Sequence, residues 1–229
     1  MRFSPTARTA AAALSALAVL LAPTAARAAS AGRTTAPGNT VTLPVREALA
    51  ALPVSDESRA GYERTKFRHW TDADRDGCNT RMEVLKAEAV TAPVQGPNCA
   101  LTGGSWYSAY DDRYLDSASK LDVDHLVPLA EAWDSGASQW TAKERELYAN
   151  DLDDARDLVA VSAASNRSKA DKDPSEWLPP YAGYRCQYDT HWIADKTRWG
   201  LSIDATERDA LTQQLAGCPD QPITVTLAR

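Results

Sequence analysis

Leu121 to Leu129 reads LDVDHLVPL, Asp157 to Ser162 reads DLVAVS, and Ser165 to Ala170 reads SNRSKA. The first stretch alternates apolar and acidic residues, which predicts a strand ending near Pro128. The second predicts another strand, and the third a short helix. An adjacent Asp124 and His125 at a strand end can divide labour. The carboxylate can hold a hard divalent cation, and the imidazole can take a proton from water. Asn166 offers a neutral oxygen as a second ligand, while Arg167, Lys169 and Lys172 offer charge for a phosphate. Strict alternation sends Asp124 and His125 to opposite faces, so both reach one site only where the strand ends or bulges. An isolated Asp-His pair is more often structural, so its surroundings decide its meaning.

Working outward, Thr141 with Glu144 three residues on forms a capping box, predicting a helix to about Tyr148. Glu83 to Val90 is a second helix candidate, and Thr206 to Leu215 a third, opened by its threonine. Ser105 to Asp111 (SWYSAYD) is aromatic and strand-like. Ser58 to Trp70 sets Tyr62, Phe67 and Trp70 among charges to dock on a core. Pro44 and Pro53 leave room for one short helix between them. Strand, helical insert, strand and helix in one chain predict an α+β fold.

The 229 residues carry 25 Lys+Arg against 31 Asp+Glu, and 44% are hydrophobic, which excludes a wholly disordered chain. Arg2 and Arg8, the apolar run Ala10–Ala22 and Ala26-Arg27-Ala28 predict a secretory signal over 1–28. Residues 29–43 read as a flexible leader and 44–229 as one domain with its core motif at about 121–172. No later apolar run is long enough to span a bilayer, so no membrane association is expected. The signal holds three arginines and no acid, so the net charge falls from −6 to −9 without it. Net charge of that sign does not steer a protein to nucleic acid. A basic groove from Arg167, Lys169, Lys172, Arg185, Lys196 and Arg198 would offset it. Four cysteines in a secreted chain suggest disulfides. Of three possible pairings, closing the shorter loops favours Cys78–Cys99 and Cys186–Cys218. Zinc is disfavoured by the absence of a C-x-x-C pair and the count of three histidines.

Residues 122–180 closely resemble the HNH nuclease family, whose ββα-metal motif is strand, loop, strand, helix. The stretches GCNTRMEVL (77–85), AEAWDSGASQW (130–140), YANDLDD (148–154) and NRSKADKDPSEWLPP (166–180) are more closely similar to secreted HNH proteins. Those in turn resemble the C-terminal nuclease domain of GmrSD-type restriction enzymes. The likeness extends from about residue 62 to 218. It implies an HNH motif embedded in a single small disulfide-bonded domain. It makes His125 the general base, and Asp124 and Asn166 the ligands of a catalytic Mg²⁺. Asp157 falls where the family has its central asparagine and would orient the loop or the imidazole. Asn166 replaces the terminal histidine, which leaves an oxygen-rich set suited to Mg²⁺ or Mn²⁺.

Residues 72–83 match D-x-D-x-D-G-x₅-E, the calcium loop of EF-hands, with Asp72, Asp74, Asp76 and Glu83 as ligands. The competing reading is an acidic turn whose Asp side chains cap backbone amides. Arg81 lies within a family-like stretch but receives no role. His69 and His191 adjoin tryptophans and read as packed residues. The expectation is a secreted, monomeric, metal-dependent endonuclease. Its substrate is nucleic acid, with DNA favoured and RNA open. No protein partner is indicated. The alternative is an inactive, calcium-stabilised extracellular binding module on the same scaffold.

Overall fold

The computed structural model describes Met1, Arg2, Ser4 and residues 36–229; the expected signal segment lies outside the described residues, apart from those three. Residues 36–229 form an α+β unit. Its first half runs β1 Thr40–Pro44, α1 Val45–Ala51, α2 Thr80–Ala87, β2 Ala89–Thr91, β3 Val94–Gln95, β4 Leu101–Thr102, β5 Ser105–Ser108 and β6 Arg113–Leu115. Its second half runs β7 Leu121–His125, α3 Leu129–Asp134, α4 Ala142–Ala149, β8 Leu158–Ser162, α5 Ala163–Lys169, α6 Arg185–Trp199, α7 Ala205–Leu215 and β9 Pro222–Thr226. The strands pair antiparallel in small sheets: β1 with β9, β2–β5–β6, β3 with β4, and β7 with β8. Among the described residues no helix is long and apolar enough to cross a membrane.

The main core gathers around α6, which buries Tyr188, Trp192, Ile193 and Trp199 against Leu49, Trp140, Tyr148, Leu211 and Val225. Gly200 ends α6 in the left-handed conformation (φ 63°), which suits a residue without Cβ. A smaller core, with Leu85, Trp106, Leu121, Val123 and Leu158, backs the β7–β8 hairpin, and Trp106 Nε1 donates to Leu85 O at 2.6 Å. The two expected disulfides are present, Cys78–Cys99 and Cys186–Cys218. The second ties the start of α6 to the turn after α7, where Arg46 also donates to the carbonyls of Leu215 and Cys218 at 2.7 Å.

Several boundaries differ from the sequence reading. Residues 40–43, read as the end of a leader, are most of β1, because β9 supplies a partner in register from Thr40↔Thr226 to Pro44↔Pro222. The capping box holds: Glu144 N donates to Thr141 Oγ1 and Thr141 N to Glu144 Oε2. The last helix is opened by Asp204, whose carboxylate accepts from Glu207 N at 2.7 Å, and not by Thr206. Asn79 caps α2 through Met82 N, so that helix begins three residues before Glu83.

Lys196 of α6 is fully buried, and its ammonium donates to Glu131 Oε1, Glu207 Oε2, Ser135 Oγ and the Ser202 carbonyl, all within 3.0 Å. One lysine therefore serves more than one carboxylate. Glu57 adjoins this group, and its carboxyl is pushed up to about 9 by burial and by the charge of Glu131. A carboxyl raised in the folded state resists folding once the unfolded chain ionises. Its contribution is harmless below about 4.5 and increasingly costly as pH climbs toward 9. The Glu57→Gln variant should therefore melt higher than the parent at pH 8, and its melting temperature should fall less between pH 5 and pH 9. Parallel melting curves of the two proteins across that range would expose the opposite behaviour.

Candidate active site

β7 and β8 pair so that Asp124 faces Val159 and His125 faces Leu158 across the ladder. The chain then enters α5 directly from β8, with Ser162 as N-cap accepting from Ser165 N. Two antiparallel strands and a following helix thus bring Asp124, His125, Asn166 and Arg167 to one cleft of about 330 Å³. Arg64 and Asp171 also line it. The two neighbours on β7 do point to opposite faces, and both reach the cleft because they sit at the strand's end.

Asp124 is buried, and both of its carboxylate oxygens are engaged while lone pairs remain. Tyr110 Oη donates to Oδ2 at 2.7 Å, and Lys169 Nζ lies 3.0 Å from Oδ1 and 2.7 Å from Oδ2. The same ammonium donates to the His125 carbonyl at 3.0 Å. Burial raises the Asp124 carboxyl, and the Lys169 charge and the Tyr110 hydrogen bond oppose that rise. On the other face, the His125 ring packs against Trp70 (5.2 Å between centroids) and lies 6.3 Å from His69. His125 Nε2 sits 3.0 Å from the Ala149 carbonyl, which can only accept. That contact assigns the proton to Nε2 and leaves Nδ1 as an acceptor. Burial first, then the nearby cations Arg64 and Lys169, push the imidazole down to about 3, so it is neutral across the physiological range.

Asn166 is half-buried. Its amide Nδ2 donates to Asp122 Oδ2 at 3.3 Å, which leaves Oδ1 as its acceptor. Arg167 is largely exposed, with Nε 3.6 Å from Asp122. Two expected site residues do not present their side chains to the cleft. Lys169 is fully buried and committed to Asp124, so it is withdrawn from any phosphate in the cleft. Asp157 turns its side chain into a buried acidic group with Asp151 and Asp195, 3.2 Å from Arg198 Nε, and makes no hydrogen bond to His125. Only its backbone serves the hairpin, accepting from Leu126 N.

The expected basic groove does not assemble. Lys169, Lys196 and Arg198 are spent on buried carboxylates, and Arg185 donates to the Pro179 carbonyl. Arg81 donates to the carbonyls of Ala118 and Leu121 and so supports the start of β7. His191 packs on Tyr184, away from the cleft. Three residues receive no site role from the sequence: Arg64, Tyr110 and Trp70, the last expected only as a core-docking aromatic. None carries a motif; the aromatic run at 105–111 was the one visible hint of Tyr110.

At the second sequence motif, the carboxylates of Asp72, Asp74 and Asp76 are exposed, and oxygens of all three lie within 4.8 Å of one another. Asp76 and Glu83 approach equally closely, and Glu83 also pairs with Lys86 at 3.0 Å. Gly77 takes φ 91°, and its N–H donates to Asp72 Oδ2.

The Lys169–Asp124 pair invites a direct test. Removing one partner strands the other as a buried charge, which costs about 3–5 kcal/mol, whereas removing both is much milder. Lys169→Met should therefore destabilise the protein by about that amount in urea unfolding. The double variant Lys169→Met/Asp124→Asn should recover part of the loss, and purely additive costs would contradict the pairing.

The pattern of the GmrSD restriction endonucleases, C-terminal domain, matches residues 92–214, a span that includes Asp124, His125, Asp157 and Asn166. An "uncharacterized secreted protein" of Arthroderma benhamiae is 42% identical over 171 residues, covering 74% of this chain and 82% of that one. No solved structure matches the chain. With more than half of its length inside the family pattern and this relative alongside, the chain belongs to the family of the GmrSD restriction endonuclease C-terminal domain.

Proposed function

We propose that the protein is a secreted, metal-dependent endonuclease of the HNH type that hydrolyses phosphodiester bonds, with DNA as the favoured substrate. The observation that carries this reading is the convergence of Asp124, His125 and Asn166 on one cleft at the end of a strand pair that leads into a helix. Family membership supports a nuclease relationship. The signal-like N-terminus, the two disulfides and the secreted relative support export.

In this reading His125 Nδ1 accepts a proton from water while the Ala149 carbonyl holds the ring through Nε2–H. The water oxygen bonds to phosphorus and the bond to the 3′ oxygen breaks. A phosphate entering the cleft adds negative charge beside the imidazole and raises its affinity for that proton. Arg167 and Arg64 are the cleft cations free to meet the phosphate. Asp124 and Asn166 would hold the metal. Their donors are hard oxygens and every cysteine is in a disulfide, which suits Mg²⁺ or Mn²⁺ better than zinc. Bound there, such an ion supplies Lewis-acid stabilisation of the developing phosphorane charge. Asp157 acts at a distance, holding the Leu126 backbone, and Lys169 acts by positioning Asp124.

The test uses supercoiled plasmid and RNA, each in EDTA, Mg²⁺, Mn²⁺ or Ca²⁺. The parent protein should cleave only with Mg²⁺ or Mn²⁺. His125→Ala, checked for fold by circular dichroism, should turn over on the order of 10²–10⁴-fold more slowly. Inert, well-folded parent protein in every metal would favour the binding-module alternative.

The Asp72 loop we assign to a structural Ca²⁺. Its three convergent carboxylates, the Gly77 turn and Glu83 at the twelfth position support this. Millimolar calcium should raise the melting temperature of the parent but not of Asp74→Asn. Equal melts with and without calcium would reduce the loop to an acidic turn.

A further inference from the structure

Behind the β7–β8 hairpin lies a second pocket, of about 430 Å³, whose walls include Glu88, Tyr107, Tyr110, Tyr181, Tyr184 and Gln187. It shares a wall with the catalytic cleft. Tyr110, itself fully buried, backs the pocket and donates its hydroxyl to Asp124 at 2.7 Å. The floor is β8, whose outer edge is capped by Glu88. Oε2 accepts from Ala160 N at 2.8 Å, while Oε1 has no hydrogen-bond partner among the described residues. Burial lifts this carboxyl to about 7. Tyr181 lies across the rim. Its N–H donates to the Tyr110 carbonyl, and its ring rests so close over Gly183 that a Cβ there would fall 2.6 Å from it. No lysine or arginine lines the pocket, so it is not built for a phosphate.

Tyrosine faces accept a flat, neutral, aromatic ring by stacking, and they do so for any base. The carboxylate adds selection. Among the common bases, guanine alone presents two adjacent N–H donors on its pairing edge, from N1 and N2. A carboxylate accepts both at once. Adenine, cytosine, thymine and uracil each place an acceptor beside their donor, which would face a carboxylate oxygen. We infer that this pocket is a subsite for an unpaired guanine of the substrate strand, read by Glu88 and stacked on the accessible tyrosines Tyr107 and Tyr181. The inference rests on the nuclease reading for its substrate, but its binding chemistry stands apart from cleavage.

The experiment titrates the full chain at pH 8, where Glu88 is mostly ionised, in EDTA with 5′-GMP, 5′-AMP, 5′-CMP and 5′-UMP, followed by NMR chemical shifts. GMP should bind on the order of tenfold more tightly than the others, as one bidentate base contact allows. Glu88→Gln keeps an oxygen for Ala160 N yet presents N–H groups to the guanine donors, so it should lose the preference. Asn166→Ala, altered in the cleft alone, should keep it. A second arm sequences the cut ends of a random single strand in Mg²⁺. Guanine should be enriched at a fixed distance from the break in the parent and not in Glu88→Gln. Equal or undetectable binding of all four nucleotides would overturn the inference, as would a GMP preference surviving in Glu88→Gln. Cleavage without a GMP preference would sink the pocket alone. A Glu88-dependent GMP preference without cleavage would sink the nuclease reading and leave a guanine-binding protein.

Discussion

The geometry of the cleft depends on one buried charge. Lys169 closes α5 with no solvent exposure, and an ammonium in that position persists only with a carboxylate against it. Asp124 supplies the carboxylate, and Tyr110 donates a further hydrogen bond to it. Three segments far apart in sequence therefore meet at two oxygens. The same lysine grips the His125 carbonyl, so the last residue of β7 cannot drift from the helix. Asp124 and His125 leave the strand on opposite faces, and this clamp is what presents both to one opening.

The clamp also explains how an acidic chain spends its cations. Lys169, Lys196 and Arg198 read in the sequence as candidates for a groove. Each is drawn inside, because the interior holds carboxylates that would otherwise be stranded: Asp124, Glu131 with Glu207, and Asp151 with Asp157. A buried carboxylate without a cation is far costlier than a surface lysine is useful. Arg64 and Arg167 remain exposed on the lining of the cleft.

Much of the fold was legible because its signals are local. The alternation in LDVDH and LVAVS, the Thr141–Glu144 box and the short helix at SNRSK each act within a few residues, and each element forms close to its expected place, although β7 stops at His125 and not near Pro128. The disulfides followed from loop closure, in which near partners are favoured. β1 was hidden because its partner β9 stands at the other end of the domain, and TVTLP next to a proline says nothing of that pairing. The site divides along the same line. Asp124, His125 and Asn166 were readable from their spacing and family likeness. Tyr110, Arg64 and the burial of Lys169 were not, since each depends on what the folded chain brings beside it.

Asp157 carries the same lesson into chemistry. An aspartate at 157 would set a second negative charge near the Asp124 carboxylate if it faced the cleft. Instead its side chain is turned inward among Asp151, Asp195 and Arg198, and burial together with those neighbouring acids raises its carboxyl well above the usual range. The hairpin needs from this position an acceptor for the Leu126 amide, and that acceptor is the backbone carbonyl, which any residue provides. An acid is thus tolerated at this position beside the hairpin, and its cost falls on the core electrostatics around α6. An amide at 157 would relieve that cost without removing the hydrogen bond that holds the hairpin.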